Sequence, residues 1–305
     1  MSTKNDFFLI VNPNTGHRTF KKSWSLIQSL LGEKKVTYSF ELTRFKKDEI
    51  GLVQNAIKSG FRKIIVVGGD GTFHHTVNGI MQQDFCKSSD IKLGIIPLGT
   101  GNDWIKTYAI PNYIEKSVDI ILNDKTDYQD IGKIIHQNNT IEYFNNLAGT
   151  GYDGYVVKKL NSLKKLGAIA YLLSGLQGLL FYKSFNYKIK FQNKERNEKC
   201  LMVLFGVCQY SGGGMRLTQN ANPKDGLLDI TIVKNIGLFD LIFNLPKLYN
   251  GQIVNHKKVE NYKVTSIQIE LTHHNNSIIE ADGELIGNGS LEVFIITKAI
   301  QIFIP

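Results

Sequence analysis

The chain has 305 residues, 42% of them hydrophobic and 21% charged, which is too long for one minimal domain and apolar enough to fill two cores. Lysine and arginine exceed aspartate and glutamate by 36 to 27, for a net charge of +9, a balance that favours anionic partners such as nucleotides or acidic lipid surfaces. The basic residues come in short pairs such as Lys21-Lys22 and Lys257-Lys258 rather than in a long arm, so nucleic acid is not an expected partner and the pairs read as solvated helix faces.

The opening MSTKNDFFLIV holds an apolar run of five residues, too short for a signal-peptide core, so the mature chain is expected to begin here. Residues 7–11 read as a strand, and Phe20, Trp24, Ile27 and Leu31 recur at helical spacing. Residues 36–42 are strand-like; Ile50, Val53 and Ile57 mark a second helix ended by Gly60. A buried strand at 63–67, a helix over 72–81 and a strand at 92–96 complete a βαβαβ pattern, the mark of a parallel sheet covered by helices. Ligands of such sheets sit beyond the carboxyl ends of the strands. The loops NPNTG (12–16), GGDGT (68–72) and PLGTGND (97–103) all fall on that rim.

After about residue 125 the pattern becomes closely spaced strands, at 128–135, 141–147, 187–191, 201–207, 227–233, 263–271 and 291–296, with helical stretches near 155–182 and 237–250. The expected architecture is therefore an α/β domain over 1–125 and an antiparallel, β-rich domain over 126–305, the final strand being free to join either sheet. Residues 166–182 run without a charge, yet they fall short of the about 20 apolar residues a spanning helix needs, so a buried or interfacial helix is expected. Cys86, Cys200 and Cys208 form neither an even framework nor a C-x-x-C pair, which points to reduced thiols in the cytoplasm.

A strand-ending loop rich in glycine can bring backbone N–H groups to phosphate, and NPNTG and GGDGT both fit. A Walker A motif is absent. GTGYDG at 149–154 matches a dinucleotide spacing, but no acidic residue follows between Tyr155 and Lys194 to hold a ribose, so turn glycines explain it better. Asp70 inside a phosphate loop would repel a triphosphate unless a divalent cation came between them, and Mg²⁺ prefers one or two carboxylates with waters and phosphate oxygens. Asp70 alone reads as a turn cap. Asp103, Asp130, Asp282 and Glu284 shift the balance toward metal-assisted phosphoryl chemistry.

The ordered set NPNTG, GGDGT followed by VNGI, PLGTGND, DIG, GTGYD, GGGMRL with DGLLDI, and ADGE, spread over residues 12–284, resembles the diacylglycerol kinase catalytic-domain family, which includes bacterial lipid kinases and the sphingosine and ceramide kinases. The resemblance implies an N-terminal domain related to those of NAD kinases and phosphofructokinases, a β-rich C-terminal domain, and an ATP site in the cleft between them. It places Asn12, Pro13, Asn14, Thr15 and Gly16 on nucleotide phosphate, Thr43 near the nucleoside, and Gly68, Gly69, Asp70, Gly71, Thr72 and Phe73 along the triphosphate, with Thr100 and Asn102 adding contacts. Asp70, Asp103 and Asp130 would hold catalytic Mg²⁺ largely through water. Asn222, Asp225 and Leu227 would form a second, structural Mg²⁺ site. Asp282 or Glu284 would accept the proton of the lipid hydroxyl.

The implied activity is transfer of the γ-phosphate of ATP to diacylglycerol or a related lipid, by a cytoplasmic protein in peripheral contact with the inner membrane face, with a homodimer as a further expectation. The chain departs from the family pattern at His74-His75, where an acid is usual at the second position, at Gln219 for a proline, and at Lys224 for an acid. Adjacent residues on a helix point about 100° apart and no third ligand follows, so the histidines read as a partly exposed pair rather than a metal site. Two other readings remain open here: an NAD kinase-like enzyme, since that family also carries GGDGT, and a non-catalytic nucleotide- or lipid-binding regulator.

Overall fold

The computed structural model describes residues 6–15, 19–99, 101–161, 182–271 and 277–305. They divide into two compact units, Met1–Asp130 with Thr297–Pro305, and Ile131–Ile296.

In the first unit, strands β1 (Phe7–Val11), β2 (Tyr38–Leu42), β3 (Lys63–Gly68) and β4 (Lys92–Pro97) form a parallel sheet in the order β4-β3-β1-β2. Every β1 partner on β3 is buried from Ile64 to Val67, as are Leu9 to Val11 opposite them, which is why these stretches are continuous aliphatic runs rather than alternating ones. Among the described residues five helices surround the sheet: α1 (Phe20–Glu33), α2 (Asp48–Lys58), α3 (Asp70–Gln82), the single turn α4 (Trp104–Thr107) and α5 (Ile114–Leu122). The chain steps from β1 outward to β2 and then back past β1 to β3. Right-handed crossovers therefore put α1 on one face and α2 and α3 on the other, in agreement with the packing of α1 on α5 and of α2 on α3. The reversal leaves a crevice beyond the carboxyl ends of β1 and β3, where NPNTG and GGDGT emerge.

Helix α3 is buried on almost every side. His74 and His75 are 0% and 4% exposed, which corrects the expectation of a partly exposed pair: α2 covers one flank of α3 and β3 lies beneath it. The α2–α3 contact is closed at Gly79, where a Cβ would stand 2.3 Å from Val53 Cγ1 and 2.9 Å from the Ile50 carbonyl oxygen.

The second unit is antiparallel. After β5 (Thr126–His136) come β6 (Ile141–Phe144), β7 (Leu147–Gly151), α6 (Tyr152–Asn161), β8 (Phe185–Phe191), β9 (Lys194–Gly206), the small hairpin β10 (Tyr210–Ser211) and β11 (Met215–Arg216), β12 (Leu228–Lys234), α7 (Leu238–Asn250), β13 (Val259–Val264), β14 (Ser266–Leu271), β15 (Ile278–Ala281), β16 (Glu284–Asn288) and β17 (Leu291–Phe303). The order β16-β15-β7-β9-β8-β14-β17 is joined by β12, which pairs with β9 on one side and β13 on the other. The closing strand serves both units: Leu291–Phe294 pair with β14, and Gln301 and Ile302 run parallel to β4.

Two strands expected whole are broken. The 141–147 stretch parts at Asn145-Asn146, and the 263–271 stretch parts at Thr265, beyond which β14 leaves β12 for β8 and β17. No helix of the described residues is long and apolar enough to cross a membrane. The apolar stretch 166–182 lies, except for Tyr182, outside them.

Gly79→Ala drives a methyl group into α2 and is expected to cost about 1–3 kcal/mol, read as a lower denaturation midpoint in urea. An unchanged midpoint would show that α2 yields without loss.

Candidate functional site

The carboxyl ends of the parallel strands are stitched together before any side chain is considered. Asn12 N–H donates to the Val67 carbonyl (3.0 Å), Thr43 N–H to Val11 (2.9 Å) and Leu98 N–H to Gly68 (2.8 Å). Asn12 then organises its loop: its Oδ1 accepts Asn14 N–H at 2.9 Å, an Asx turn, and its Nδ2 donates to Thr72 Oγ1 at 2.9 Å. Gly68 is required here, because a Cβ would lie 2.9 Å from Thr72 Cβ and Oγ1. Helix α3 starts at Asp70, with Gly69 extended before it. Its first turn directs N–H groups without intrahelical acceptors toward the crevice, and the helix dipole adds to them, an arrangement that binds anions. A cleft of about 200 Å³ is lined by Thr15, Pro97, Leu98 and Gly99 of the strand-end loops together with Phe20 and Ser23 of α1 and Ile114 of α5.

Asp70 joins two of the loops, its Oδ2 accepting the Asp103 N–H at 2.8 Å. Asp103 Oδ1 in turn takes the Lys106 ammonium at 2.6 Å. The loop carrying Asp103 is anchored by Trp104, which packs on Phe73 with centroids 4.2 Å apart and donates its Nε1–H to buried Gln129 at 3.0 Å. Tyr108 Oη donates to the same Gln129 oxygen at 2.9 Å. Phe73 is fully buried, so its side chain supports Trp104 instead of facing a ligand. Gln129 is not legible in the sequence, because nothing in a strand pattern marks one polar residue as the acceptor for two distant aromatic donors. Gly16 and Thr100 lie outside the described residues.

Asp130 is buried and accepts Lys298 N–H at 2.7 Å on Oδ1, tying β5 to β17. Among the described residues no three His, Cys, Asp or Glu side chains converge on one point to ligate an ion. Asp70 and Asp103 meet at this rim, and two carboxylates are the number Mg²⁺ takes where waters and phosphate oxygens complete its shell.

In the second unit Asp282 and Gly283 are the two central residues of the β15–β16 hairpin, with φ of +50° and +82°, the Asp-Gly chemistry that a two-residue primed turn demands. The turn is clamped onto the β6–β7 connection. Asp282 N–H donates to the Leu147 carbonyl (2.8 Å). The carboxylate accepts three successive amides, Asn145 N–H at 3.0 Å on Oδ2 and Asn146 and Leu147 N–H at 2.9 and 3.1 Å on Oδ1. Glu284, the first residue of β16, is half-buried.

Behind this turn lies a pair of buried carboxyl groups that the sequence did not reveal. Gly149 on β7 faces Glu280 on β15, and the Asp153 carboxyl occupies the space a Gly149 side chain would need, 2.7 Å from its Cβ position. Gly154 lets α6 close on β15, where a Cβ would be 2.6 Å from the Ile278 carbonyl oxygen; the GTGYDG glycines are thus close-approach residues. Burial raises both carboxyls, and the field of Asp153 raises Glu280 well above the usual carboxylate range. The two carboxyls are buried side by side, Asp153 9% and Glu280 2% exposed. Glu280 Oε2 meanwhile accepts Gly283 N–H at 2.9 Å, so the pair supports the hairpin tip from below.

The Asn222–Leu227 loop is closed by protein groups. Asp225 Oδ1 accepts Leu227 N–H (3.1 Å) and its Oδ2 takes Lys263 Nζ (2.8 Å), which also lies 3.4 Å from Asp229 Oδ2. Burial pushes Asp229 up to about 6. Lys263 is thus the counter-charge that the Asp225 carboxylate holds in this structure.

Comparison with known proteins adds to this geometry. Residues 6–134 match the diacylglycerol kinase catalytic domain family, and residues 146–304 match the YegS C-terminal NAD kinase beta sandwich-like domain. A diacylglycerol kinase of Staphylococcus haemolyticus is 30% identical over 97% of this chain and 87% of its own length. One of Staphylococcus epidermidis is 30% identical over 97% and 91%. The crystal structure of a diacylglycerol kinase from Bacillus anthracis overlays on the whole chain and 98% of its own with a TM-score of 0.76 at 23% identity, a likeness of fold.

The carboxyl pair predicts a pH dependence. The native state keeps a proton that the unfolded chain releases above the ordinary carboxylate range, so native protein binds more protons and stability falls as pH rises, by about 1.4 kcal/mol per pH unit for one retained proton. The fall ends once pH exceeds the raised native pKa. Glu280→Gln removes the raised carboxyl while leaving an oxygen to accept the Gly283 N–H, and unfolding followed from pH 5 to 9 is expected to show a flatter decline. Glu280→Ala should be destabilised throughout. Parallel declines in wild type and Glu280→Gln would remove this carboxyl from the account.

Proposed function

We infer the function from one premise: this chain belongs to the diacylglycerol kinase family and is a lipid kinase. The reaction we propose is transfer of the γ-phosphate of ATP to the hydroxyl of diacylglycerol or a related lipid. The observation that carries it is the junction of Asp70 with the Asp103 amide at the N-terminus of α3, which puts amide donors and carboxylates on the same rim.

The first turn of α3 and the Asn12–Thr15 loop would bind the nucleotide phosphates through backbone N–H groups. Asn12 and Thr72, hydrogen-bonded to each other, orient the two loops. Mg²⁺, when bound, would be held through water by Asp70 and Asp103, with Asp130 as the third carboxylate of the family pattern, and would neutralise charge on the transferring group.

Of the two carboxylates of the DGE turn, Glu284 is the better proton acceptor for the lipid hydroxyl. Asp282 already receives three amides on its two oxygens. Its role in this reading is to hold the hairpin that presents Glu284, and a carboxylate in the position of Glu284 takes the proton late in the transfer.

Purified protein incubated with ATP, Mg²⁺ and a mixed lipid extract is expected to yield new phosphomonoester lipids by mass spectrometry. Glu284→Gln should lower kcat by about 10²–10⁴-fold with little change in the KM for ATP. Asp70→Asn should lose activity while the Asp103 amide keeps an acceptor. Asp282→Asn should lose thermal stability as well, since an amide nitrogen would face backbone N–H groups. Wild-type rates in Glu284→Gln would move the proton acceptor elsewhere. No lipid product from wild type, or NADP formed from NAD in its place, would overturn the lipid kinase assignment.

A further inference from the structure

Helix α7 exposes an apolar stripe that nothing in the phosphotransfer reading uses. Phe239 and Phe243 are 75% and 80% exposed, and Ile242 and Tyr249 are exposed beside them. At 100° per residue these positions and Pro246 fall in one arc of the helix. Four of the eleven large exposed hydrophobics among the described residues lie on these thirteen positions, so the stripe is a patch, where scattered single residues would need no explanation. The opposite side is spoken for: Leu245 and Leu248 pack with Met215, Ile253 and Val254 in the core.

The rim of the stripe is basic. Asp240, the one acidic residue of α7, is bonded to Lys258 at 2.8 Å and lies in the field of Lys257 and His256, which together lower its pKa. Lys247 is exposed in the last turn, and Arg216 packs 3.5 Å from the Cβ position of Gly251 at the end of the helix. A helix with aromatic and aliphatic residues on one side and cations along its edge is the form that lies in the headgroup region of an anionic bilayer. Pairing of the stripe with a second copy would bring like-charged rims together, which opposes self-association.

We propose that α7 is the element by which this protein docks on an anionic lipid surface, with Phe239, Ile242, Phe243 and Tyr249 entering the interface and Arg216, Lys247 and Lys257 facing the headgroups. The proposal takes its choice of partner from the lipid kinase reading, but the docking itself needs neither ATP nor turnover.

The test is sedimentation with vesicles of phosphatidylglycerol and phosphatidylcholine, without nucleotide. Wild type is expected to co-sediment, and more weakly with phosphatidylcholine alone. Phe239→Ser with Phe243→Ser should reduce the affinity at least tenfold while leaving phosphorylation of a dispersed short-chain diacylglycerol unchanged. Phe239→Trp should show a blue-shifted emission on vesicle addition. Equal sedimentation of the double variant and wild type, or an emission of the Phe239→Trp variant that vesicles leave unshifted, would overturn the proposal. So would light scattering that shows a wild-type dimer dissociated by the double substitution, which would assign the stripe to a second copy. Vesicle binding by a protein that phosphorylates no lipid would leave the docking surface standing and remove the kinase reading instead.

Discussion

The carboxylate of Asp282, receiving three consecutive backbone amides, is the interaction on which the second unit's candidate chemistry depends. Buried amides without acceptors cost more than a made hydrogen bond returns, and the β6–β7 connection turns too sharply to satisfy its own. Asp282 supplies the acceptors from the tip of another hairpin. One side chain thereby ends β6, starts β7 and pins the β15–β16 turn, so the position of Glu284 follows from an acceptor shortage elsewhere in the chain. The same device recurs at Asp70 with Asp103, at Asp130 with Lys298, and at Glu280 with Gly283. Acidic residues that look catalytic are in each case first holding a backbone.

Close approach is the second constraint. Gly68 allows Thr72 over the end of β3, Gly79 seats α3 on α2, and Gly149 and Gly154 admit Asp153 and β15 against β7 and α6. The GTGYDG spacing thus serves packing, while a helix N-terminus of the kind that binds anions belongs to the GGDGT loop. In α7 the constraint is relaxed: one side meets the core and the other meets nothing among the described residues, and the charges around it favour a surface of opposite sign.

Much of this was legible in the residues themselves. The aliphatic runs at β1, β3 and β4 announced a parallel sheet because strands buried on both faces have no polar side to alternate with. The glycine loops marked the rim at the carboxyl ends of its strands, and the ordered motifs from residue 12 to 284 pointed to a lipid kinase family that the comparisons show. The Asp-Gly pair at 282–283 was also a readable hairpin signal, overshadowed by the chemistry it suggested. What escaped was non-local. The breaks at Asn145-Asn146 and at Thr265 depend on partners more than a hundred and about thirty residues away, Asp282 and Ile295 respectively. His74 and His75 read as a partly exposed pair because helical period alone does not say that α2 and the sheet enclose α3 from both sides.

Sequence by itself determined the class of each domain and the family, since these rest on period, turn chemistry and motif order, all of which are local or cumulative along the chain. Tertiary structure decided which carboxylates are committed to backbone amides, that Glu280 and Asp153 are buried side by side, that Lys263 pairs with Asp225, and which face of α7 is left uncovered. These outcomes depend on which groups are brought together and which are kept from water, and neither burial nor a hydrogen-bond partner exists until distant segments have packed.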